Sequence, residues 1–176
     1  LQELLLNDER DRDNTYGFRF YADVALPIYG LDLNVSYGRY INEGVEKEYE
    51  NNIIGDAQPT GRYSEERFRR QLENFTQVLT YKNSLSGVHN LDLTLGHETT
   101  RFDLSEFSAL GIDQTAEGIF EFANFATPIS INGASYSKRL EGYFGRANYN
   151  FDSKYYLSLS ARRDGSSIFF SDTRWG

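Results

Sequence analysis

Between Tyr143 and Asp164 the chain alternates apolar and polar residues through two successive stretches, and few folds accommodate that pattern. Tyr143, Ala147, Tyr149 and Phe151 fall on one side of an extended segment, with Phe144, Arg146, Asn148 and Asn150 on the other. After Asp152-Ser153 the alternation resumes, setting Tyr155, Leu157, Leu159 and Ala161 against Tyr156, Ser158, Ser160 and Arg162. A period of two is the side-chain period of a β-strand, so each stretch reads as a strand whose faces meet different surroundings. Asp152-Ser153 supplies the turn, because short polar side chains hydrogen-bond local backbone and tolerate its dihedrals. One face is aromatic and aliphatic, and the other is too wet for a packed core. The wall of a transmembrane β-barrel has this composition, with lipid outside and a polar lumen inside.

The rest of the chain extends the pattern. Phe18, Phe20, Ala22, Val24 and Leu26 alternate with Arg19, Tyr21, Asp23 and Ala25, which predicts a first strand over about Tyr16 to Leu26. Pro27-Ile28-Tyr29-Gly30 follows as a turn. A second strand is expected from Leu31 to about Ile41, with Leu31, Leu33, Val35 and Tyr37 opposite Asp32, Asn34 and Ser36. A third, over about Arg67 to Leu85, is irregular: Phe75, Leu79 and Tyr81 share a side with Gln77, while Leu72 and Val78 fall opposite. Ser86-Gly87 turns the chain into a fourth strand from about His89, where Leu91, Leu93 and Leu95 oppose Asp92, Thr94, Gly96 and Glu98. Leu1 to Leu6 is expected to make a helical turn or a small apolar anchor, and Asn7 to Thr15 a charged connection. Asn42 to about Glu66 and Ser105 to Ser137 are expected as long loops, and Gly165 to Gly176 as the start of a third. Short turns thus alternate with long loops, as in outer-membrane barrels, whose periplasmic turns are short and extracellular loops long.

Composition narrows the function classes. Thirteen Tyr and thirteen Phe stand beside a mean hydropathy of -0.58, which suits strands wet on one side better than a dense soluble core. The formal charge is -8 and the pI about 4.8, which argues against a nucleic-acid partner. There is no cysteine, hence no thiol nucleophile, disulfide or zinc knuckle. No apolar run reaches the roughly 18 residues of a membrane helix, a test that barrel strands escape.

The order Phe144-Gly145-Arg146-Ala147-Asn148-Tyr149, then the Tyr-Tyr-Leu strand, then Arg163-Asp164-Gly165-Ser166-Ser167 and Thr173-Arg174-Trp175-Gly176, resembles the barrel of SusC/RagA-like TonB-dependent outer-membrane transporters. Tyr81 to Leu91 is similar, more loosely, to the same family's preceding hairpin. The resemblance implies an all-β fold: an antiparallel transmembrane wall of six strands in three hairpins, part of a barrel of about 22 strands with a plug in its lumen. Six strands cannot close a membrane barrel, since the smallest have about 8, and an open edge in lipid leaves backbone groups unpaired. The chain is therefore expected to be an interior section of that wall, residues 1–176, without the plug and without the N-terminal segment that contacts TonB. The resemblance further implies a bacterial outer-membrane location and active import of a nutrient of the oligosaccharide or oligopeptide class. The partners it implies are a SusD-like surface lipoprotein as lid, the TonB complex, the bilayer with its lipopolysaccharide, and the remaining strands of the barrel. It implies no catalysis and no cofactor. Two other readings stay open: a passive porin-type barrel, and a soluble secreted glycan-binding β module.

Candidate functional residues follow from the faces. Arg19, Asp23, Asp32, Asn34, Ser158 and Ser160 are expected to face the lumen. Tyr49, Tyr63, Phe120, Phe122 and Phe125, placed in the long loops, either stack on cargo or a lid or form the loops' own apolar cluster. Tyr149, Phe151 and Tyr155 suit an aromatic girdle. The acid-rich run Glu43 to Glu50 lacks the spacing of a calcium loop and reads as a solvated segment. His89 and His97 have no third partner at ligand spacing, and no serine has the elbow or base of a nucleophile. Arg162-Arg163-Asp164-Gly165 reads as a strand end whose arginines pair with nearby carboxylates, rather than as a basic rim for anions.

Overall fold

The computed structural model of the chain describes residues 5–170 and 173–175. Six antiparallel strands form one sheet in sequence order: β1 (Asp8–Ala25), β2 (Leu31–Glu50), β3 (Arg62–Leu85), β4 (His89–Gln114), β5 (Phe125–Phe151) and β6 (Tyr155–Ser166). A single turn of 3-10 helix, Phe122–Asn124, precedes β5. Among the described residues the three hairpins and their turns lie where the sequence puts them. Residues 1–4 and residues 171, 172 and 176 lie outside the described set, and with them most of the N-terminal apolar segment and part of the third loop.

The turn chemistry is local. Asp152 and Ser153 both adopt left-handed backbone, at φ 51° and 53°, and Ser153 N–H donates to Asn150 Oδ1 at 2.9 Å. Two consecutive positive φ values make the tight turn whose twist matches that of the flanking strands. Gly30, at φ 76°, ends the first turn against the carbonyl of Lys82, where a side chain would collide.

Four expected boundaries are corrected. The charged segment from Asn7 to Thr15 is strand from Asp8 onward, and β2 runs on to Glu50 instead of ending near Ile41. β3 begins at Arg62, which leaves 51–61 as the loop in place of Asn42 to Glu66. β4 continues to Gln114 and β5 starts at Phe125, so most of the expected loop from Ser105 to Ser137 is also strand. The physical reason lies in the side chains. In the added stretches of β1, β2 and β3 charged residues occupy both faces, so the apolar–polar alternation that reveals a strand disappears, and ion pairs take its place. Across strands Arg69 lies 3.7 Å from Glu43, Lys47 lies 3.8 Å from Glu65 and Arg62 pairs with Glu50, while Arg67 pairs with Glu65 along β3 itself.

Contacts divide the chain into two compact units, each with pieces of several strands. The first takes the chain up to Tyr16, Ile41–Arg70 and Asp103–Tyr136; the second takes Gly17–Tyr40, Gln71–Phe102 and the chain from Ser137 onward. The first has a core, in which Tyr49, Tyr63 and Phe125 are buried and Phe120 and Phe122 pack against them. In the second the side chains sort by strand alternation. The Lys82–Asp92 pair and the Thr100–Asn74 hydrogen bond join even-numbered residues of β3 and β4 on one side. His97 meets Glu141 and His89 meets Tyr149 on the other. β5 and β6 pair in the register Asn148↔Ser158 and Ala147↔Leu159.

Candidate functional site

The polar side of the second unit is built by two groups of residues. On β1 and β2, Asn34 Nδ2 donates to Asp23 Oδ1 at 2.6 Å, and the Arg19 side chain passes over Gly38, where an added Cβ would lie 3.6 Å from its Nε. Asp32 is exposed on the same side by alternation with Asn34. On β5 and β6, Ser158 Oγ donates to Asn148 Oδ1 at 2.7 Å, Arg146 Nε donates to the same oxygen at 3.2 Å, and Ser160 stands opposite Arg146. The six expected lumen residues thus share one side of this unit but form two groups instead of a single site.

Around the second group lies a hollow of about 720 Å³, lined among others by Lys82, Asn90, Asp92, Arg146, Asn148, Asn150, Tyr156 and Ser158. Amides, hydroxyls, two cationic side chains and one carboxylate spread along the hollow favour hydrogen bonding to a polar chain over capture of a single ion. Asn148, Asn150 and Tyr156 were not singled out in the sequence, although their place on the polar face was legible there.

A second arrangement on this side involves Arg162. Its guanidinium pairs with Glu98 and with Asp164 Oδ1, the latter at 2.8 Å, and lies 5.7 Å from the centroid of the Phe144 ring. The ring lies across Gly96, and any side chain there would overlap it. Glycine is needed at position 96 for close approach, not for its dihedrals. Arg162 is fully engaged by carboxylates, which matches the structural reading of the Arg162-Arg163-Asp164 corner. Arg163 stacks on Trp175 at 5.5 Å, and Trp175 bridges back to Gly165.

The opposite side of the second unit is apolar and open around Leu95, Leu157 and Leu159 and carries ion pairs farther along its strands. Leu95 is 62% exposed, Leu157 55% and Leu159 62%, with no protein packed over them. Near the Asp152–Ser153 turn this side carries rings: His89 sits 5.0 Å from Phe151 and hydrogen-bonds the Tyr149 hydroxyl at 2.6 Å, and Phe151 stacks on Tyr155 at 6.3 Å. Further along the strands, His97 stacks on Tyr143 at 4.6 Å and contacts Glu141 at 3.0 Å, and Tyr143 meets Trp175 at 5.9 Å. Each histidine therefore has an aromatic and a polar neighbour.

In the first unit the five aromatic candidates come together. Tyr63, 1% exposed, stacks on Phe125 at 5.2 Å and meets the edge of Phe122 at 4.8 Å, and Tyr49 packs on Phe120 at 4.6 Å. Tyr49, Tyr63 and Phe125 lie in strands, not loops, and their burial leaves them no surface for cargo or lid. These three take the second of the two expected alternatives, an apolar cluster of their own, because an apolar ring gains more from mutual packing than from water. Phe120 and Phe122 remain partly exposed at the edge of the cluster. Burial pushes the Tyr63 hydroxyl pKa up, and that hydroxyl donates to Glu65 at 3.2 Å. The loop before β5 is fastened by Asn124, buried at 6% exposure. Its Nδ2 donates to the carbonyls of Ala116 and Ile119 at 2.7 and 2.8 Å, and its Oδ1 accepts from Thr115 and from Ala116 N–H.

The acid-rich run is also strand. Carboxylate oxygens of Glu9, Asp11 and Glu46 lie within 4.8 Å of one another, all three residues exposed. Repulsion from Asp11 foremost, then slight burial and the charges of Glu66, Glu9 and Glu48, raises the pKa of Glu46 above the ordinary carboxylate value. An exposed trio of like charges is what a solvated acidic face produces.

No protein-family model matches the chain. It is 30% identical over 173 residues to "TonB-dependent receptor P3" of Formosa agariphila, an alignment that takes in 96% of this chain and 17% of that relative. It is 27% identical over 173 residues to "TonB-dependent receptor SusC" of Bacteroides thetaiotaomicron, taking in 93% of this chain and 15% of that one. The chain therefore spans less than a fifth of the length of either curated relative. Among solved structures it is similar to one described as the structure of the RagAB peptide transporter, with a TM-score of 0.88 over 98% of this chain and 20% of that one, at 23% identity. At that identity the likeness speaks for the fold alone.

Proposed function

From the premise that this chain belongs to the SusC/RagA-like TonB-dependent outer-membrane transporters, we propose that it is one stretch of a barrel wall through which a nutrient is actively imported. The remaining strands pair with the outer edges of β1 and β6, and a plug and a TonB-contacting segment belong to the same polypeptide. The observation that carries this reading is the two-sidedness of the second unit. Leu95, Leu157 and Leu159 are exposed on one side, while Asn34, Asp23, Asn148 and Ser158 are hydrogen-bonded on the other. Soluble proteins rarely leave a contiguous apolar patch open to water, and hydrocarbon is the solvent that makes this one favourable. The polar side then lines the passage. Its amides and paired charges offer many weak contacts and no deep trap, which suits a cargo that must both bind and leave. Oligosaccharides and oligopeptides are the cargo class, delivered beneath a SusD-like surface lipoprotein.

The test is uptake by cells producing the full-length protein, with labelled oligosaccharides and oligopeptides, in the presence and absence of TonB. Saturable uptake that disappears without TonB is the expected result. Uptake that persists without it would identify a passive pore. Recovery of the protein in the soluble fraction without detergent would overturn the membrane reading altogether.

A further inference from the structure

We propose that a hollow on β3, β4 and β5 in the first unit is a contact site for oligopeptide cargo, in which Arg70 takes a carboxylate of the peptide and Glu66 and Glu106 take an ammonium group. The inference rests on the import reading above and chooses between the two cargo classes named there. The hollow measures about 360 Å³, and its lining includes these three residues with Phe68, Ser108 and Asn132. Glu66, Phe68 and Arg70 follow one another along β3 with the parity of Asn74 and Lys82, the residues that mark its polar side. The Phe68 ring lies across Gly44, where an added Cβ would meet it at 2.5 Å, so the backbone of β2 backs the ring. The Arg70 guanidinium lies 4.5 Å from the centroid of that ring. Among the described residues Arg70 has no carboxylate partner, and neither Glu66 nor Glu106 has a basic one.

The unmatched charges describe the occupant. Stacking uses the face of a guanidinium and leaves the N–H donors at its edge free, a planar fork that matches the two oxygens of a carboxylate. Two carboxylates in the same hollow call for a cation within the same molecule. A peptide carries both charges, at its termini or on its side chains, and its backbone offers donors and acceptors to the Asn132 amide and the Ser108 hydroxyl. A neutral oligosaccharide would leave three charges unmatched. An acidic one would satisfy Arg70 but meet repulsion from Glu66 and Glu106.

The experiment uses the full-length protein in detergent and measures binding by isothermal titration calorimetry. The probes are a synthetic hexapeptide of uncharged residues with free termini, the same peptide amidated at its carboxyl end, the same peptide acetylated at its amino end, and a neutral hexasaccharide. Wild type should bind the free peptide, and Arg70→Ala should weaken that binding about tenfold or more, as expected for loss of a charge-assisted contact. Amidation should cost wild type a similar factor and cost Arg70→Ala nothing further. Glu66→Gln/Glu106→Gln should respond in the same way to acetylation. A variant that merely misfolds would weaken all three peptides equally, so equal losses overturn the inference, as does an absence of peptide binding by wild type. Tighter binding of the hexasaccharide than of the free peptide also overturns it, in favour of the other cargo class, and leaves the import reading intact. Uptake that persists in cells lacking TonB strikes the import reading instead.

Discussion

The two units solve the same problem in opposite ways. Among the described residues every buried hydrophobic side chain, Tyr49, Ala57, Tyr63, Ala109 and Phe125, belongs to the first unit. The second unit contains the regular leucine strands, yet none of its leucines is buried, and its buried positions are the glycines 142 and 165. In the first unit the chain covers its own apolar surface by folding Phe120 and Phe122 onto Tyr49 and Tyr63. In the second it leaves that surface for something outside the chain. Strand regularity and internal packing therefore part company: the more regular the alternation, the less the protein packs against itself, as expected of the proposed wall, in which one face meets hydrocarbon.

That contrast can be broken by substitution. Tyr63→Ala should have the largest effect, removing a fully buried ring at a cost of about 3–5 kcal/mol. It should appear as faster hydrogen exchange and protease cleavage between Thr115 and Asn124, with membrane insertion unchanged. Leu93→Arg and Leu157→Arg should cost roughly 2–4 kcal/mol near the bilayer centre and less toward its surface, measured as folding free energy in lipid vesicles. Ser158→Ala, two-sidedness predicts, should stay within about 0.5 kcal/mol in the same assay, since its polar side meets water. If Ser158→Ala and Leu157→Arg cost the same, the division of faces is wrong. The smallest effect is expected at Glu46. Its carboxyl holds a proton more tightly in the fold than in the unfolded chain, so its contribution is most favourable at low pH and is lost as pH rises past the usual carboxylate range. Glu46→Gln should therefore raise the melting temperature slightly at neutral pH, and that gain should vanish at pH 4 or in high salt.

Much of the second unit was readable from residue order. The turns at Pro27–Gly30, Ser86–Gly87 and Asp152–Ser153 carry their own chemistry, and Leu91, Leu93 and Leu95 declare a face without help. β3 was opaque because Leu72 and Val78 share the polar side with Asn74, which accepts from Thr100 at 2.9 Å, and Lys82, which pairs with Asp92. Only the neighbouring strands identify that side. The extensions of β2 and β3 in the first unit were hidden for a related reason. Glu43, Lys47, Glu65, Arg67 and Arg69 carry charge on residues that in a leucine strand would be apolar, so the period of two is present in the backbone but absent from hydropathy.

By itself the sequence determined a sheet of three hairpins with unlike faces, since period and turn residues act over a few neighbours and need no partner to be read. What only the tertiary structure decided was where the aromatic residues go. Tyr49, Tyr63 and Phe125 become a core because β2, β3 and β5 bring together rings far apart in the chain, and a contact across that distance leaves no trace in local pattern. The same holds for Arg162, whose partner Glu98 lies on another strand. Local alternation specifies which way a side chain points, and only the assembled sheet specifies what it meets.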